Sequence, residues 1–194
     1  MGEKSEQKKQ HILECARKVF AEKGYKDVTM KDIVEACEIS RGGLYLYYDS
    51  TKALFRDVLE NEMQGTDELS GSISQDATAT EVLMLFLKEQ KKELFRKKGN
   101  LTYAIYEFFL ANKIPKKENL LKQQFDEAVY ILKALLETGV ENGEFYCADT
   151  FLAARNIMYV LEGMKITAKT IGISEEQVDR ELLYIMQGLV TEEE

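Results

Sequence analysis

The sequence predicts an all-α protein of about nine helices, a small N-terminal head followed by a larger body. Three observations carry this. One proline and twelve glycines stand among abundant Leu, Ala, Glu and Lys in a chain of 194 residues, a composition that favours helix. Apolar residues recur at helical spacing, and no segment alternates convincingly as a strand would. Capping residues and glycines fall where those periodic stretches begin and end.

In chain order, the first helix is expected from about Ser5 to Lys23, with Ile12, Ala16, Val19 and Phe20 on one stripe. Gly24 is its left-handed stop. Thr29-Met-Lys-Asp32 is a capping-box variant that opens a short helix, Met30 to Cys37, facing inward with Ile33, Val34 and Cys37. Ser40 caps a third, Arg41 to Tyr47, and Ser50 or Thr51 starts a fourth carrying Leu54, Phe55, Val58 and Leu59. The Gly/Ser-rich interval 65–77 is expected as a loop. Thr78-x-x-Glu81 then opens a long helix ending near Gly99, and Leu101 to Asn112 makes another. Pro115 suits a first helical position, in a helix running to about Glu141 and stopped by Gly143. Asp149 begins a helix reaching about Ile171. Ser174-x-x-Gln177 is a capping box for the last, which ends near Val190.

Charge and cysteine usage narrow the function classes. Net charge is −8, yet residues 1–56 hold eleven Lys/Arg against nine Asp/Glu, a balance of +2, and the remainder fifteen against twenty-five, −10. A weakly basic head on an acidic body suits an anion-facing module carried by a different domain. No run approaches the roughly 18 uncharged apolar residues of a membrane span, and MGEKSEQKKQ lacks a signal peptide's apolar centre. Three scattered cysteines (Cys15, Cys37, Cys147) suit a reducing cytoplasm rather than a disulfide framework. One histidine, His11, excludes the paired Glu-x-x-His motifs of di-iron bundles and the usual His/Cys zinc spacing. No Gly-rich phosphate loop follows a strand. An enzyme, a metal and a cofactor are therefore not expected, although Cys15 stands four residues after His11.

Two short helices joined by about three residues, crossed by a longer one, are the layout of a helix-turn-helix, whose second helix enters the DNA major groove. In ISRGGLYLYYDST, Ile39 to Thr51, glycine costs an interior helix position about 1 kcal/mol relative to alanine. Gly42 and Gly43 in the first turn of that second helix let its backbone approach a duplex closely. Tyr45 and Tyr47 can offer hydroxyls to phosphates and flat faces to sugars and thymine methyls. Tyr48 reads better as packing under the helix.

The pattern Thr29-Met30-x-Asp32-Ile33-Val34-x-x-Cys37-x-Ile39-Ser40-x-Gly42-x-Leu44-Tyr45-x-Tyr47-Tyr48-x-Ser50 resembles the signature of the TetR family of bacterial repressors. The specific match covers roughly residues 8–60. The remainder is similar in helix count, lengths and the Gly143-Glu-Phe turn. The resemblance implies a three-helix DNA-binding domain over residues 1–50, and an effector-binding, dimerising helical domain over residues 51–194. It implies a phosphate contact at Thr29, base contacts from Arg41, Gly43 and Leu46, and backbone contacts from Tyr45, Tyr47 and Lys52. Two positions depart from the family pattern. Glu38 stands where glycine is frequent in the turn, and Thr51 precedes Lys52 where lysine usually follows the Ser50 position directly.

The last two helices are apolar on wide faces: Phe151, Ala154, Ile157, Met158, Leu161 and Met164, then Val178, Leu182, Ile185, Met186 and Leu189. That excess suggests an intersubunit four-helix bundle in a homodimer; the alternative is a hairpin packed within its own chain. The candidate effector residues are Phe86, Gln90, Tyr103, Tyr106, Glu107, Phe125, Met158 and Glu162, aromatic and apolar side chains with few polar anchors. Plain core is their competing role. Acidic groups beside aromatic rings favour a lipophilic, even cationic, small molecule. The expected function is a repressor of transcription released from a palindromic operator by such a ligand. The rival from another class is a helical protein-interaction adaptor that has lost DNA binding.

Overall fold

The computed structural model of the chain describes residues 2–64 and 76–189. Nine α-helices occur among them: α1 (Glu3–Lys23), α2 (Met30–Ala36), α3 (Arg41–Tyr45), α4 (Thr51–Gln64), α5 (Ala79–Leu94), α6 (Thr102–Ala111), α7 (Leu120–Glu141), α8 (Thr150–Thr170) and α9 (Glu175–Gln187). No strand occurs among the described residues. The loop expected over 65–77 lies outside them except for its last two positions.

The capping residues act as their spacing predicts. Thr29 with Asp32, Thr78 with Glu81 and Ser174 with Gln177 form reciprocal capping boxes. Asp149 and Ser40 accept from the third residue of α8 and α3. Each satisfies an amide that a helix start leaves unpaired. Some ends differ from the sequence reading. α3 stops at Tyr45 rather than Tyr47, because Leu46 and Tyr47 close it with tighter bonds, such as Tyr47 N–H to Leu44 O. α5 stops at Leu94, well before Gly99, and α9 ends at Gln187. Pro115 opens only a 3-10 turn, Lys116–Glu118, and α7 begins afterwards.

Packing divides the chain into two compact units that do not follow chain order. One gathers α1 to α4 with Lys97–Leu120, which carries α6; the other gathers α5 with Leu121 onward, which carries α7 to α9. In the first unit Ile12, Ala16 and Phe20 of α1 meet Ile33, Leu44, Leu54, Phe55 and Val58, and α6 adds Ala104 and Phe108. Phe55 is the hub, its ring centroid 4.6 Å from Phe20, 5.1 Å from Phe108 and 5.3 Å from Tyr25. α4 and α6 therefore complete a core that α1 to α3 alone would leave open. Two ion pairs flank the α1–α4 seam, Lys9 Nζ to Asp57 at 2.9 Å and a two-pronged Arg17–Glu62 contact at 2.5 and 3.0 Å.

The second unit packs Leu83 and Leu87 of α5, Val129, Leu132 and Leu136 of α7, Ala154, Ile157 and Leu161 of α8, and Val178 of α9. The turn after α7 anchors α5 from a distance. The Glu144 carboxylate accepts from the Ala79 and Thr80 amides at 3.1 and 2.8 Å, and Phe145 is buried beside it. Those bonds, led by the one from the Thr80 amide, hold the Glu144 carboxyl below the usual range. This is the physical content of the Gly143-Glu-Phe turn.

Candidate nucleic-acid interface

The helix-turn-helix is built from short-range chemistry. Cys37 closes α2 and Glu38 follows with φ +53°, the left-handed region in which glycine is at ease and other residues are strained. The turn thus adopts the left-handed geometry in which a glycine would be at ease, with Glu38 in that place. Ser40 Oγ then accepts from the Gly43 amide at 3.1 Å and fixes the start of α3. Leu44 is fully buried and holds the helix down.

What α3 presents outward is unusual. Leu46 is 84% exposed, and Arg41, Gly42 and Tyr45 are exposed beside it, with the Arg41 guanidinium 5.4 Å over the Tyr45 ring. An open groove of about 420 Å³ runs between α2 and α3, lined by Thr29, Met30, Lys31, Val34, Arg41 and Tyr45. A Cβ on Gly42 would have no atom within 4 Å, and one on Gly43 would meet only Ser40 Oγ at 3.1 Å. At Gly42 no packing among the described residues requires glycine, whereas a side chain at Gly43 would crowd the Ser40 cap.

The other predicted contact residues divide by environment. Lys52 is exposed in the first turn of α4 while Thr51 is half-buried, so the shifted lysine still faces solvent. Tyr47 is half-buried with its hydroxyl 3.3 Å from Ser5 Oγ. Tyr48 is buried and donates to Asp57 at 3.0 Å, the packing role expected for it. Burial, and then that bond, push its hydroxyl well above the usual tyrosine range. Thr29 is exposed, but its hydroxyl donates to Asp32 Oδ2, which also pairs through its other oxygen with Lys23. The Lys23 ammonium, then the Thr29 hydroxyl and amide, hold the Asp32 carboxyl far below the usual range.

The eight candidate effector residues fall in both units. Phe86, Gln90, Phe125, Met158 and Glu162 belong to the second. There Met158 is buried, Phe125 lies 5.2 Å from the Tyr159 ring, and Glu162 pairs with Lys165 at 2.8 Å. Gln90 lines a cavity of only about 10 Å³ with Leu161, Met164 and Val178, room for about one water. Tyr103, Tyr106 and Glu107 lie on α6, in the unit of the head. Glu107 Oε2 accepts from the Tyr25 and Lys26 amides at 2.7 and 3.1 Å, latching α6 to the segment after α1. Burial works against its charge, but bonds from the Lys26 amide, the Tyr103 hydroxyl and the Tyr25 amide outweigh it and hold the carboxyl below the usual range. Gly24, with φ +82°, leaves room for that latch, since a Cβ there would sit 2.6 Å from Glu107 Oε2. Sequence reasoning placed Glu107 among ligand contacts and missed this role, because its partners are more than 80 residues away.

Comparison with known proteins agrees with this architecture. The N-terminal pattern of TetR-family bacterial regulatory proteins matches residues 12–58, and the tetracyclin repressor-like C-terminal domain matches residues 82–179. An uncharacterized helix-turn-helix regulator, YfiR of Bacillus subtilis, is 32% identical over 147 residues, covering 74% of this chain and 70% of its own. The transcriptional repressor DhaR of a Mycobacterium species is 30% identical over 77 residues, 40% of this chain and 39% of its own. A transcriptional regulator from Saccharomonospora viridis, solved with choline, superposes with a TM-score of 0.81 at 20% identity, covering 96% of this chain and all of the other. The chain belongs to the TetR family, whose members are regulators of transcription rather than enzymes, and it is a DNA-binding transcriptional regulator. Among the described residues no helix is long and apolar enough to cross a membrane.

Proposed function

We propose that this protein is a homodimeric repressor that binds a palindromic operator and is released when a small lipophilic molecule enters its second unit. Gly42 is the observation that carries the DNA-contact part. It weakens a short exposed helix by about 0.5–1 kcal/mol relative to alanine, yet a Cβ would meet nothing among the described residues. The missing side chain makes room for something outside the protein. In this reading Arg41 donates to guanine, Leu46 packs on a thymine methyl and Gly43 lies against base edges. Thr29, Tyr45, Tyr47 and Lys52 hold phosphates, which position the helix without specifying sequence.

The dimer rests on a stripe. Leu152, Tyr159 and Ile166, two turns apart along α8, are exposed, as are Leu183 and Tyr184 of α9. In this reading the ligand enlarges the cavity at Gln90, which here holds about one water. It binds an opened conformation better than this closed one, and operator affinity falls by the same factor. Phe86, Gln90, Phe125, Met158 and Glu162 are the residues we assign to that opened site. On α6, Tyr103, Tyr106 and Glu107 remain candidate ligand contacts, and Glu107 also latches α6 to the segment after α1. The DhaR likeness supports the repressor sign, and the choline of the Saccharomonospora structure is a property of that protein alone. The test is a screen of hydrophobic and cationic compounds for thermal stabilisation with operator release. Compounds that stabilise the protein and leave operator affinity unchanged would refute induction by this route.

A further inference from the structure

His11, Cys15 and Cys37 form a cluster that the DNA-contact surface leaves unused. Cys15 lies one turn after His11 on α1, and its Sγ is 3.9 Å from His11 Nδ1 and 3.8 Å from Nε2. His11 Nε2 also lies 3.2 Å from the carbonyl oxygen of Cys37, the residue that closes α2 just before the left-handed Glu38. The two thiols are free, they flank the same imidazole, and Cys15 packs against the core cluster that contains Cys37. Their settings differ, for Cys15 is half-buried and Cys37 is 3% exposed.

We infer that Cys15 and Cys37 are a thiol pair oxidised by hydroperoxides, whose disulfide ties α1 to the helix-turn-helix and lowers operator affinity. The accessible sulfur reacts first. The Cys15 thiolate, its proton passed to His11 or to water, attacks one peroxide oxygen and the O–O bond breaks. The other oxygen takes up a proton and leaves as alcohol or water, and Cys15 becomes a sulfenic acid. The Cys37 sulfur then attacks Cys15 Sγ, the S–O bond breaks, and the Cys37 proton departs with the hydroxide as water. The peroxide gains two electrons and the two thiols lose them. Burial, helped by the neighbouring Cys15, pushes the Cys37 thiol up to about 12, so the more accessible Cys15 initiates, and Cys37 follows by giving up its proton as it attacks. A disulfide holds its sulfurs about 2 Å apart, closer than any thiol hydrogen bond. Forming it draws the end of α2 toward α1 and moves the turn that aims α3.

The experiment treats the full chain with hydrogen peroxide or cumene hydroperoxide, alkylates under denaturing conditions and maps the peptides. The expected result is a Cys15–Cys37 cross-link, alkylated Cys147, and binding to a selected operator weakened about tenfold, restored by dithiothreitol. Cys15→Ser removes both effects. Cys37→Ala leaves a Cys15 sulfenic acid that dimedone traps, with no cross-link. The inference is overturned by a cross-link through Cys147, by three alkylated thiols after treatment, or by a Cys15–Cys37 bond that leaves operator affinity unchanged. Thiol mapping needs no DNA, so its failure is separable from failure of the DNA-contact assignment.

Discussion

Glu38 is the one described non-glycine residue at positive φ, and it sits in the turn on which α3 depends. Glu38→Gly should relieve backbone strain and stabilise the head by about 0.5–1 kcal/mol while preserving DNA binding, measured by thermal melting and gel shift. Gly42 gives the opposite pairing. Gly42→Ala should stabilise the fold by a similar amount and weaken operator binding, a combination that a glycine kept for internal packing would not produce. At Glu107 the sign with pH follows from its lowered carboxyl. A depressed folded value means the stabilisation is present above the unfolded value of about 4.3 and is lost as pH falls through the folded one. Glu107→Gln should therefore lower stability near neutral pH by about 1 kcal/mol, discounted for partial exposure. It should also flatten the acid limb of a melting-temperature profile below about pH 4. A variant with an unchanged acid limb would remove the latch from the account.

Among the elements, α4 is clamped to α1 by Lys9–Asp57 and Arg17–Glu62 with the Phe55 cluster between them. On the proposed mechanism the two helices would move as one body, with α4 carrying a displacement of its far end into the head. Glu62→Gln should cost at most about 1 kcal/mol of stability while reducing the fold-change in operator affinity on induction, read by fluorescence anisotropy with and without inducer. Most of this element layer was legible in the sequence, because caps and apolar spacing are local. Thr29-x-x-Asp32, Thr78-x-x-Glu81 and Ser174-x-x-Gln177 each placed a helix start correctly. The exposed face at α3 was legible for the same reason, since Gly42, Tyr45 and Leu46 lie within five residues. The Glu144 cap on α5 and the Glu107 latch were not, as both join segments more than 60 residues apart and no periodicity announces such a pairing. Nor could spacing say that Tyr103 and Glu107 on α6 pack with the head.

For the whole molecule, the proposed dimer places two α3 helices on half-sites about 34–36 Å apart or somewhat more. Leu183→Glu on the exposed face of α9 should yield a folded monomer in sedimentation, with operator affinity falling steeply. A dimer that survives this change would move the interface elsewhere. Linkage bounds what a ligand can do, since a 100-fold preference for one conformation supplies about 2.7 kcal/mol per site. The central claim, that the α3 surface reads a DNA sequence, is tested most directly by selecting binding sites from random DNA with the full chain. Affinity for the winner is then compared between wild type and Arg41→Ala over a range of salt. The account predicts an enriched palindrome, binding that falls as salt rises, and a loss in Arg41→Ala of about 1–3 kcal/mol confined to one base position of each half-site. No enriched sequence, or an Arg41→Ala loss equal on every DNA tested, would contradict it.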